Sequence, residues 1–271
     1  MPDARAVLTR YLDFPGEEVF AWCTDATFLS QWLGPKGFEA CDVESDPRVG
    51  GRFGFRMTSE HGVYAAEGRF LEVTPPSRIS LTWQWTEAPA GDELDGVESL
   101  LSFDLRAHDS GTLLTLTHDA LLDQSTADSH ASGWSEALDK LATRLRRADA
   151  TAIVRAYLGA YTTDDRAALE AVLAAAFHFT SPRDNRLDRA TYFTRCWPNH
   201  KETREMRIDD VIVDGDKVWM TYEADTTRGR FRNAEVLTIH SRRITDIQVF
   251  FGWTIPHPAP EGHSLADSTQ D

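Results

Sequence analysis

The sequence has few cysteines and no long hydrophobic run. Its three cysteines, Cys23, Cys41 and Cys196, are odd in number and far apart, and no CxxC occurs. This spacing predicts neither a zinc knuckle nor a redox pair. No apolar run approaches the ~18–20 residues of a membrane span, and no basic-then-apolar leader follows Met1. We therefore expect a cytoplasmic protein with no membrane partner.

Basic residues and catalytic motifs are also scarce. The chain carries 28 Lys and Arg against 43 Asp and Glu, a net charge of −15. A nucleic-acid partner requires a basic surface and is therefore not expected. The sequence contains no GxxxxGK[ST], no GxGxxG after a strand, no HExxH and no GxSxG. No set of His, Cys, Asp and Glu has metal-ligand spacing. We therefore predict no metal and no cofactor, so any catalysis would use a pocket carboxylate or histidine.

The length predicts two domains, because 271 residues exceed the usual ~100–200 of a single domain. With 41% hydrophobic residues, the chain can build two cores. The hydrophobic patterns place a first domain at 1–147 and a second at 148–253. Periodicity is lost at 254–271, which we predict to be a disordered tail.

The first half reads as a strand, two short helices, six strands and one long helix. Thr24 or Asp25 is a suitable cap for the second short helix. The long helix has Ser125, Thr126 or Asp128 as candidate caps and an apolar stripe with the spacing of one helix face. Its members are His130, Trp134, Leu138, Leu141 and Leu145. At 146–151 the helix either ends in a polar junction or continues with little break.

An antiparallel sheet with one apolar helix must bury that helix on its concave face. If the sheet curls around the helix, the space between them becomes a cavity lined by side chains of both elements. The candidate ligand-binding residues of this cavity are Trp32, Phe53, Phe55, Tyr64, Trp83, Trp85, His118, His130 and Trp134. For any one of these rings, ordinary core packing remains the better interpretation.

Five segments of this half resemble the START-like superfamily, also called SRPBCC. They are EEVFAWCTDATFLSQWLGPKGF, DPRVGGRFGFRM, EGRFLEVTPPSRISLTWQW, GTLLTLTH and HASGWSEALDKLA. Within the superfamily they are similar to the group related to the activator of the heat-shock-protein-90 ATPase, over about residues 5–147. The resemblance implies a helix-grip fold, an incomplete antiparallel barrel around a long C-terminal helix over a deep pocket. It does not by itself imply chaperone activation.

The second half reads as helices at 151–161 and 165–176, a short strand at 177–181, a helix capped by Asp188 and a four-stranded meander. Two segments, FHFTSPRDNRLDRATYFTRCWPN and RFRNAEVLTIHSRRITDIQVFFGW, resemble the SnoaL-like branch of the nuclear-transport-factor-2-like superfamily. The resemblance covers about residues 149–253. It implies an α+β cone with a pocket between a curved sheet and the helices, and pairing as a homodimer through the outer sheet face.

Glu235 is the strongest catalytic candidate of this half. Strand alternation puts it on one face with Asn233 and Leu237. Desolvation there would raise its pKa and suit a general base. The alternative, which the sequence leads us to favour, is a structural ion pair with an arginine. The candidate partners are Arg232, Arg230 and Arg195.

Other side chains of the second half are candidates for the pocket that Glu235 would face. Asp184 and His178 are further catalytic candidates, although a histidine on a short apolar strand is more often a core residue. Tyr192, Trp197, Tyr222 and Asn233 are candidate ligand-binding residues.

Three functions remain open from the sequence. The leading one is binding of a small, largely apolar molecule in the pockets of both domains. The rival is a cofactor-free cyclase, isomerase or hydrolase in the second domain, acting on a hydrophobic, carbonyl-bearing substrate. A chaperone-linked interaction protein is the weaker alternative.

Overall fold

A computed structural model describes residues 4–60, 62–89 and 97–257. The chain divides into two compact units, with the division between Arg146 and Arg147. Among the described residues, no helix combines the length and the hydropathy of a membrane-spanning segment. The architecture is α+β, with two sheets and a long helix that follows the strands of the first unit.

The first unit contains one seven-stranded antiparallel sheet with the strand order β1-β7-β6-β5-β4-β3-β2. Two short helices, α1 and α2, separate β1 from β2, and the helix α3 follows β7. The elements are β1 (Ala4–Leu12), α1 (Gly16–Trp22), α2 (Ala26–Leu29), β2 (Glu39–Ser45), β3 (Arg52–Ser59), β4 (Gly62–Thr74), β5 (Arg78–Glu87), β6 (Ser99–His108), β7 (Gly111–Leu121) and α3 (Gln124–Thr163). This order of elements agrees with the sequence-based prediction.

Side-chain caps start two of these helices. Asp25 accepts a hydrogen bond from the Thr27 amide at 2.8 Å, as one of the two predicted caps of α2. At the start of α3, Asp123 accepts the Thr126 amide at 2.8 Å. The caps predicted for α3 at Ser125, Thr126 or Asp128 are therefore wrong, because the helix begins one turn earlier than the apolar stripe suggested.

Helix α3 continues through 146–151 and does not end in a polar junction. The predicted separate helix at 151–161 is its last part. The physical reason is that this stretch contains neither proline nor glycine before Gly159, and its Ala, Leu and Arg residues favour a helix. Its polar residues mark an exposed face of the helix and give no stop signal.

The first core lies between the sheet and the apolar face of α3. Alternate residues of β3 and β5 are buried, among them Phe53, Phe55 and Trp83. The α3 stripe contributes Leu138 and Leu141, both fully buried. This alternation fixes which side chains of each strand meet the helix.

The second unit contains one six-stranded sheet with the order β10-β11-β12-β13-β8-β9. Strands β13 and β8 pair in parallel, and the other pairs are antiparallel. The elements after α3 are α4 (Arg166–Val172), β8 (Leu173–Ser181), β9 (Asp184–Asp188), α5 (Arg189–Arg195), a short 3-10 helix (Trp197–Glu202), β10 (Thr203–Asp214), β11 (Lys217–Thr226), β12 (Gly229–His240) and β13 (Arg243–Ile255). Asp188 caps α5 as predicted, accepting the Thr191 amide at 2.7 Å.

This unit differs from the prediction at several places. The helix expected at 165–176 ends at Val172, because Leu173 pairs with Ile244 in the sheet despite the alanines that follow it. Strand β9 was not predicted at all. Strand β13 extends to Ile255, two residues into the expected tail, and residues 258–271 of that tail lie outside the described residues.

We propose that each unit is a domain that folds on its own, with the bounds 1–147 and 148–253. Each unit buries its own hydrophobic cluster, so each fragment retains a core when the chain is cut. We expect fragments 1–147 and 149–271, expressed separately, to melt cooperatively in calorimetry. Two fragments without any cooperative transition would contradict the proposal.

Candidate functional site

Glu235 lies in the middle of β12 and is buried, with 2% of its surface exposed. Its register partners are Met220 on β11 and Val249 on β13, both also buried. Asn233 and Leu237 share its face, as the alternation predicted. An acidic side chain therefore lies on an apolar sheet face in the second core.

A chain of hydrogen bonds orients this carboxyl group. The Tyr222 hydroxyl donates to Glu235 Oε1 at 2.8 Å, and Asn233 Nδ2 donates to the Tyr222 hydroxyl at 3.3 Å. The Gly252 amide donates to Asn233 Oδ1 at 3.2 Å, which fixes the orientation of the amide. The other oxygen, Glu235 Oε2, is buried and accepts no hydrogen bond of ordinary geometry from the described residues, although the Tyr157 hydroxyl lies close enough to the carboxyl group to lower its pKa. One oxygen is thus held in place by Tyr222, and the other has no hydrogen bond of ordinary geometry.

Burial raises the pKa of Glu235 from 4.5 to about 7, and the hydroxyls of Tyr222 and Tyr157 lower it in part. Desolvation is the largest cause, because an ionised carboxylate loses its hydration on this face. The carboxyl group therefore changes its protonation state near neutral pH, where a general base or acid is most effective.

The ion pair that we favoured for Glu235 is wrong. Arg232 pairs with Glu223 at 2.8 Å, and Arg230 pairs with the same carboxylate at 3.2 Å. Arg195 lies 3.0 Å from Asp184. The reason is strand alternation, since the two even-numbered arginines of β12 point to the face opposite Glu235.

Three tyrosines on helices surround the same core. Tyr157 and Tyr161 lie on α3, Tyr192 lies on α5, and the Tyr161 and Tyr192 hydroxyls hydrogen-bond to each other. Burial raises the pKa of each of these three hydroxyls above the usual range of tyrosine. The Trp197 ring packs on Tyr161 at 5.2 Å between centroids. Tyr157 and Tyr161 were missed, although their i, i+4 spacing on an apolar stretch was a usable signal.

The structure does not bring His178 to Glu235. Phe177 and Phe179, its neighbours on β8, both pack on Tyr192 with centroids 5.1 Å apart. His178 therefore lies on the opposite face of the sheet. Asp184 has partners of its own. Its Oδ2 accepts the Ser181 hydroxyl at 3.0 Å, and Oδ1 forms the ion pair with Arg195 outside hydrogen-bond geometry.

The first domain gathers most of its candidate rings around Trp83. The ring centroids of Phe53, Phe55, Trp85 and Trp134 lie 5.9, 5.5, 5.4 and 5.4 Å from that of Trp83. These five rings and the two histidines His118 and His130 are called the aromatic cluster below. Two further candidates lie next to it. Tyr64 contacts Trp85 edge to face, and Trp32 contacts Phe103 and donates its indole N–H to the Trp22 carbonyl at 2.9 Å.

His118 is held as a neutral ring in this cluster. Trp134 Nε1 donates to His118 Nδ1 at 3.0 Å, so the proton of the ring is on Nε2. That Nε2 donates to Ser99 Oγ at 2.8 Å, and Ser99 donates to the Trp83 carbonyl at 3.0 Å. Burial is the main cause that lowers the pKa of His118 to about 3, and the adjacent His130 is the second cause. Both ring nitrogens are engaged, so His118 has no nitrogen free to accept a substrate proton.

His130 is engaged in the same way. Trp85 Nε1 donates to His130 Nε2 at 3.2 Å, and His130 Nδ1 donates to the Thr126 carbonyl at 2.9 Å. Each histidine thus accepts from a tryptophan, and no ring nitrogen of either histidine is free. Across the described part of the chain, no three His, Cys, Asp or Glu side chains are grouped as metal ligands.

Two family models match the chain in tandem. The model described as Activator of Hsp90 ATPase homolog 1-like protein matches residues 13–146, and the model described as SnoaL-like domain matches residues 154–247. A search of curated proteins finds no match.

Solved structures resemble about half of the chain. An AHSA1 protein from Silicibacter pomeroyi has 31% identity and a TM-score of 0.47, covering 53% of this chain and 98% of its own. A protein from Chromobacterium violaceum has 27% identity and a TM-score of 0.47, covering 52% and 95%. The chain belongs, through its first domain, to the Activator of Hsp90 ATPase homolog 1-like family, and it carries a SnoaL-like domain after it.

Proposed function

We propose that both domains bind small, largely apolar molecules, and that the second domain takes a molecule that donates a hydrogen bond to Glu235. The observation that carries this proposal is the buried Glu235 Oε2, which has no partner among the described residues. Domains of both matched families fit ligand-binding roles in general. The corresponding folds we propose are a helix-grip for the first domain and an α+β cone for the second.

The physical argument is the cost of an unpaired buried acceptor. A buried polar atom without a partner costs about 1–3 kcal/mol, and a ligand donor would recover that free energy. The hydrogen bonds from Tyr222 and Asn233 already fix the carboxyl group, so binding need not order it. The surrounding aromatic and aliphatic side chains favour an apolar body for the ligand.

A pair of matched probes tests the role of Glu235. At pH 8 we expect 2-naphthol, which has a donor, to bind about tenfold tighter than 2-methylnaphthalene, which has neither donor nor acceptor. Glu235→Gln replaces the free acceptor with an amide and should reduce this preference to about twofold or less. Isothermal titration calorimetry of the full-length chain measures both affinities.

The matched control is Glu223→Gln, on the opposite face of the same sheet, where the carboxylate binds arginines. It should leave the naphthol preference unchanged. A preference that survives Glu235→Gln, or that Glu223→Gln also removes, would contradict the assignment of Glu235.

The second candidate function is a cofactor-free cyclase, isomerase or hydrolase in which Glu235 is the general base. The pKa of about 7 favours it, because proton transfer is most effective when the pKa of the base lies near the working pH. The absence of an arginine partner for this carboxyl among the described residues also favours it. Nothing observed on the described residues favours the chaperone-linked alternative.

The raised pKa predicts how stability changes with pH. Because the native-state pKa of Glu235 is about 7 and its ordinary value is 4.5, the native state binds the proton more tightly. The resulting stabilisation of the native state is complete below pH 4.5 and is lost as the pH rises through 7. The free energy of unfolding falls by roughly 3 kcal/mol over this range. Glu235→Gln cannot ionise, so its stability relative to wild type should rise between pH 5 and pH 8. Urea unfolding at both pH values measures it.

Glu223→Gln again supplies the control, because the pKa of Glu223 is shifted in the opposite direction to that of Glu235. The Arg207 guanidinium, with help from Arg232, lowers the pKa of Glu223. Its contribution is therefore present above the unfolded-state pKa, and the variant should be less stable than wild type at pH 8. If Glu235→Gln lost stability equally at pH 5 and pH 8, the raised pKa would be refuted.

We also propose that the second domain pairs as a homodimer through the outer face of its sheet. Ile212 and Trp219 are register partners there, with 58% and 41% of their surfaces exposed, and Phe250 is 53% exposed. Large apolar side chains grouped on one face are typical of an interaction surface. Nearby charges, including Arg207 and Glu223, already pair within the face, so they present little net charge to a second copy.

Sedimentation velocity tests the dimer. We expect wild type to sediment as a dimer at micromolar concentration and the double variant Trp219→Ser, Phe250→Ser to sediment as a monomer. Leu71→Ser is the matched control, because Leu71 is 48% exposed on the first domain. A monomeric wild type at ~100 μM, well above the Kd of specific stable dimers, would contradict the proposal.

A further inference from the structure

Trp83 carries an unsatisfied donor at the centre of the aromatic cluster. Its side chain is 2% exposed, and its indole Nε1 is buried with no hydrogen-bond partner among the described residues. A buried N–H without an acceptor is rare in folded proteins, and each instance calls for a physical explanation. A bound ligand is one explanation, and the polar groups around Trp83 decide which kind of ligand fits.

The other polar ring atoms of the cluster are paired internally. Trp134 and Trp85 donate to His118 and His130, and each histidine donates its one proton to a neighbouring oxygen. Ser99 in turn donates to the Trp83 carbonyl. The described cluster therefore offers a ligand one free donor, the Trp83 N–H, and no ring nitrogen that can accept.

The availability of positive charge limits the class of ligand further. The three N–H groups of Lys140, on the same helix as Trp134, are shared among four backbone carbonyls, those of Leu33, Gly34, Pro35 and Phe38. All its N–H donors are thus used within the protein, so none is left to bind an anion. Burying an unpaired carboxylate among aromatic rings would be costly, so a neutral acceptor is favoured.

We propose that the aromatic cluster of the first domain binds an apolar molecule that bears a neutral acceptor oxygen, such as a ketone, ester or ether, with that oxygen on Trp83 Nε1–H. This inference rests on the proposed function of the first domain as an apolar-ligand binder and names the class of ligand. An alcohol fits less well, since its hydroxyl proton finds no free acceptor in the cluster.

Three rigid probes of nearly equal shape separate these classes: fluorenone, fluorene and 9-fluorenol. We expect the chain carrying Glu235→Gln, in which the second domain has lost its proposed free acceptor, to bind fluorenone about tenfold tighter than fluorene, with 9-fluorenol between them. Trp83→Phe keeps an aromatic ring but removes the N–H, so the ratio of fluorenone to fluorene affinity should fall to about one. Trp22→Phe is the matched control, because Trp22 stacks on Phe28 outside the cluster, and it should preserve the ratio.

A second measurement uses the wild-type chain and does not depend on the folding of the variant. In ¹H–¹⁵N spectra, fluorenone should move the Trp83 indole proton downfield, and fluorene should not. If fluorenone and fluorene bind equally and this signal stays in place, the N–H is already satisfied, for example by the face of a neighbouring ring. That result overturns the inference but leaves apolar binding intact. If none of the three probes binds, the inference and the proposed function of the first domain both fail.

Discussion

The burial of one apolar helix face against antiparallel sheet is the constraint on which the first domain depends. Leu138 and Leu141 of α3 are fully buried, and alternate residues of β3 and β5 meet this face. Because the side-chain period of a strand is two, this packing decides which residues become core and which become surface. It collects Trp83 and the rings around it in one place. The same rule in the second domain puts Glu235 on an inner sheet face.

The two domains leave complementary polar atoms unpaired. In the first, the tryptophan–histidine pairs, with Ser99 and the Thr126 carbonyl, engage every ring nitrogen of the cluster except Trp83 Nε1, which has no partner among the described residues. In the second, Tyr222 and Asn233 hold one carboxylate oxygen of Glu235 and leave the other. The first proposed site therefore offers a donor and the second an acceptor, each in apolar surroundings. A single polar group of this kind specifies a ligand strongly, because a molecule that lacks the matching group leaves it unsatisfied.

Much of the fold could be predicted from local signals. The order of elements in the first domain, the caps at Asp25 and Asp188 and the face shared by Asn233 and Glu235 all follow from capping chemistry and alternation. The end of the helix before β8 could not be predicted, because the alanines after Leu173 favour a helix and only the pairing of Leu173 and His178 with β13 holds this segment in the sheet. The ion pair assigned to Glu235 failed for a different reason. Nearness in sequence to Arg230 and Arg232 was given more weight than the strand period that separates them.

The sequence by itself determined the residue types on each strand face, which follow from periodicity, and the two families, which follow from the resemblance of its segments. Only the tertiary structure decided which polar atoms remain unpaired. Hydrogen bonds between residues far apart in the chain, such as Trp134 with His118 and Gly252 with Asn233, fix the histidine tautomer and the amide orientation. Burial by several elements together, not by any one segment, sets the pKa of Glu235. Both quantities depend on long-range packing, which local sequence patterns do not contain.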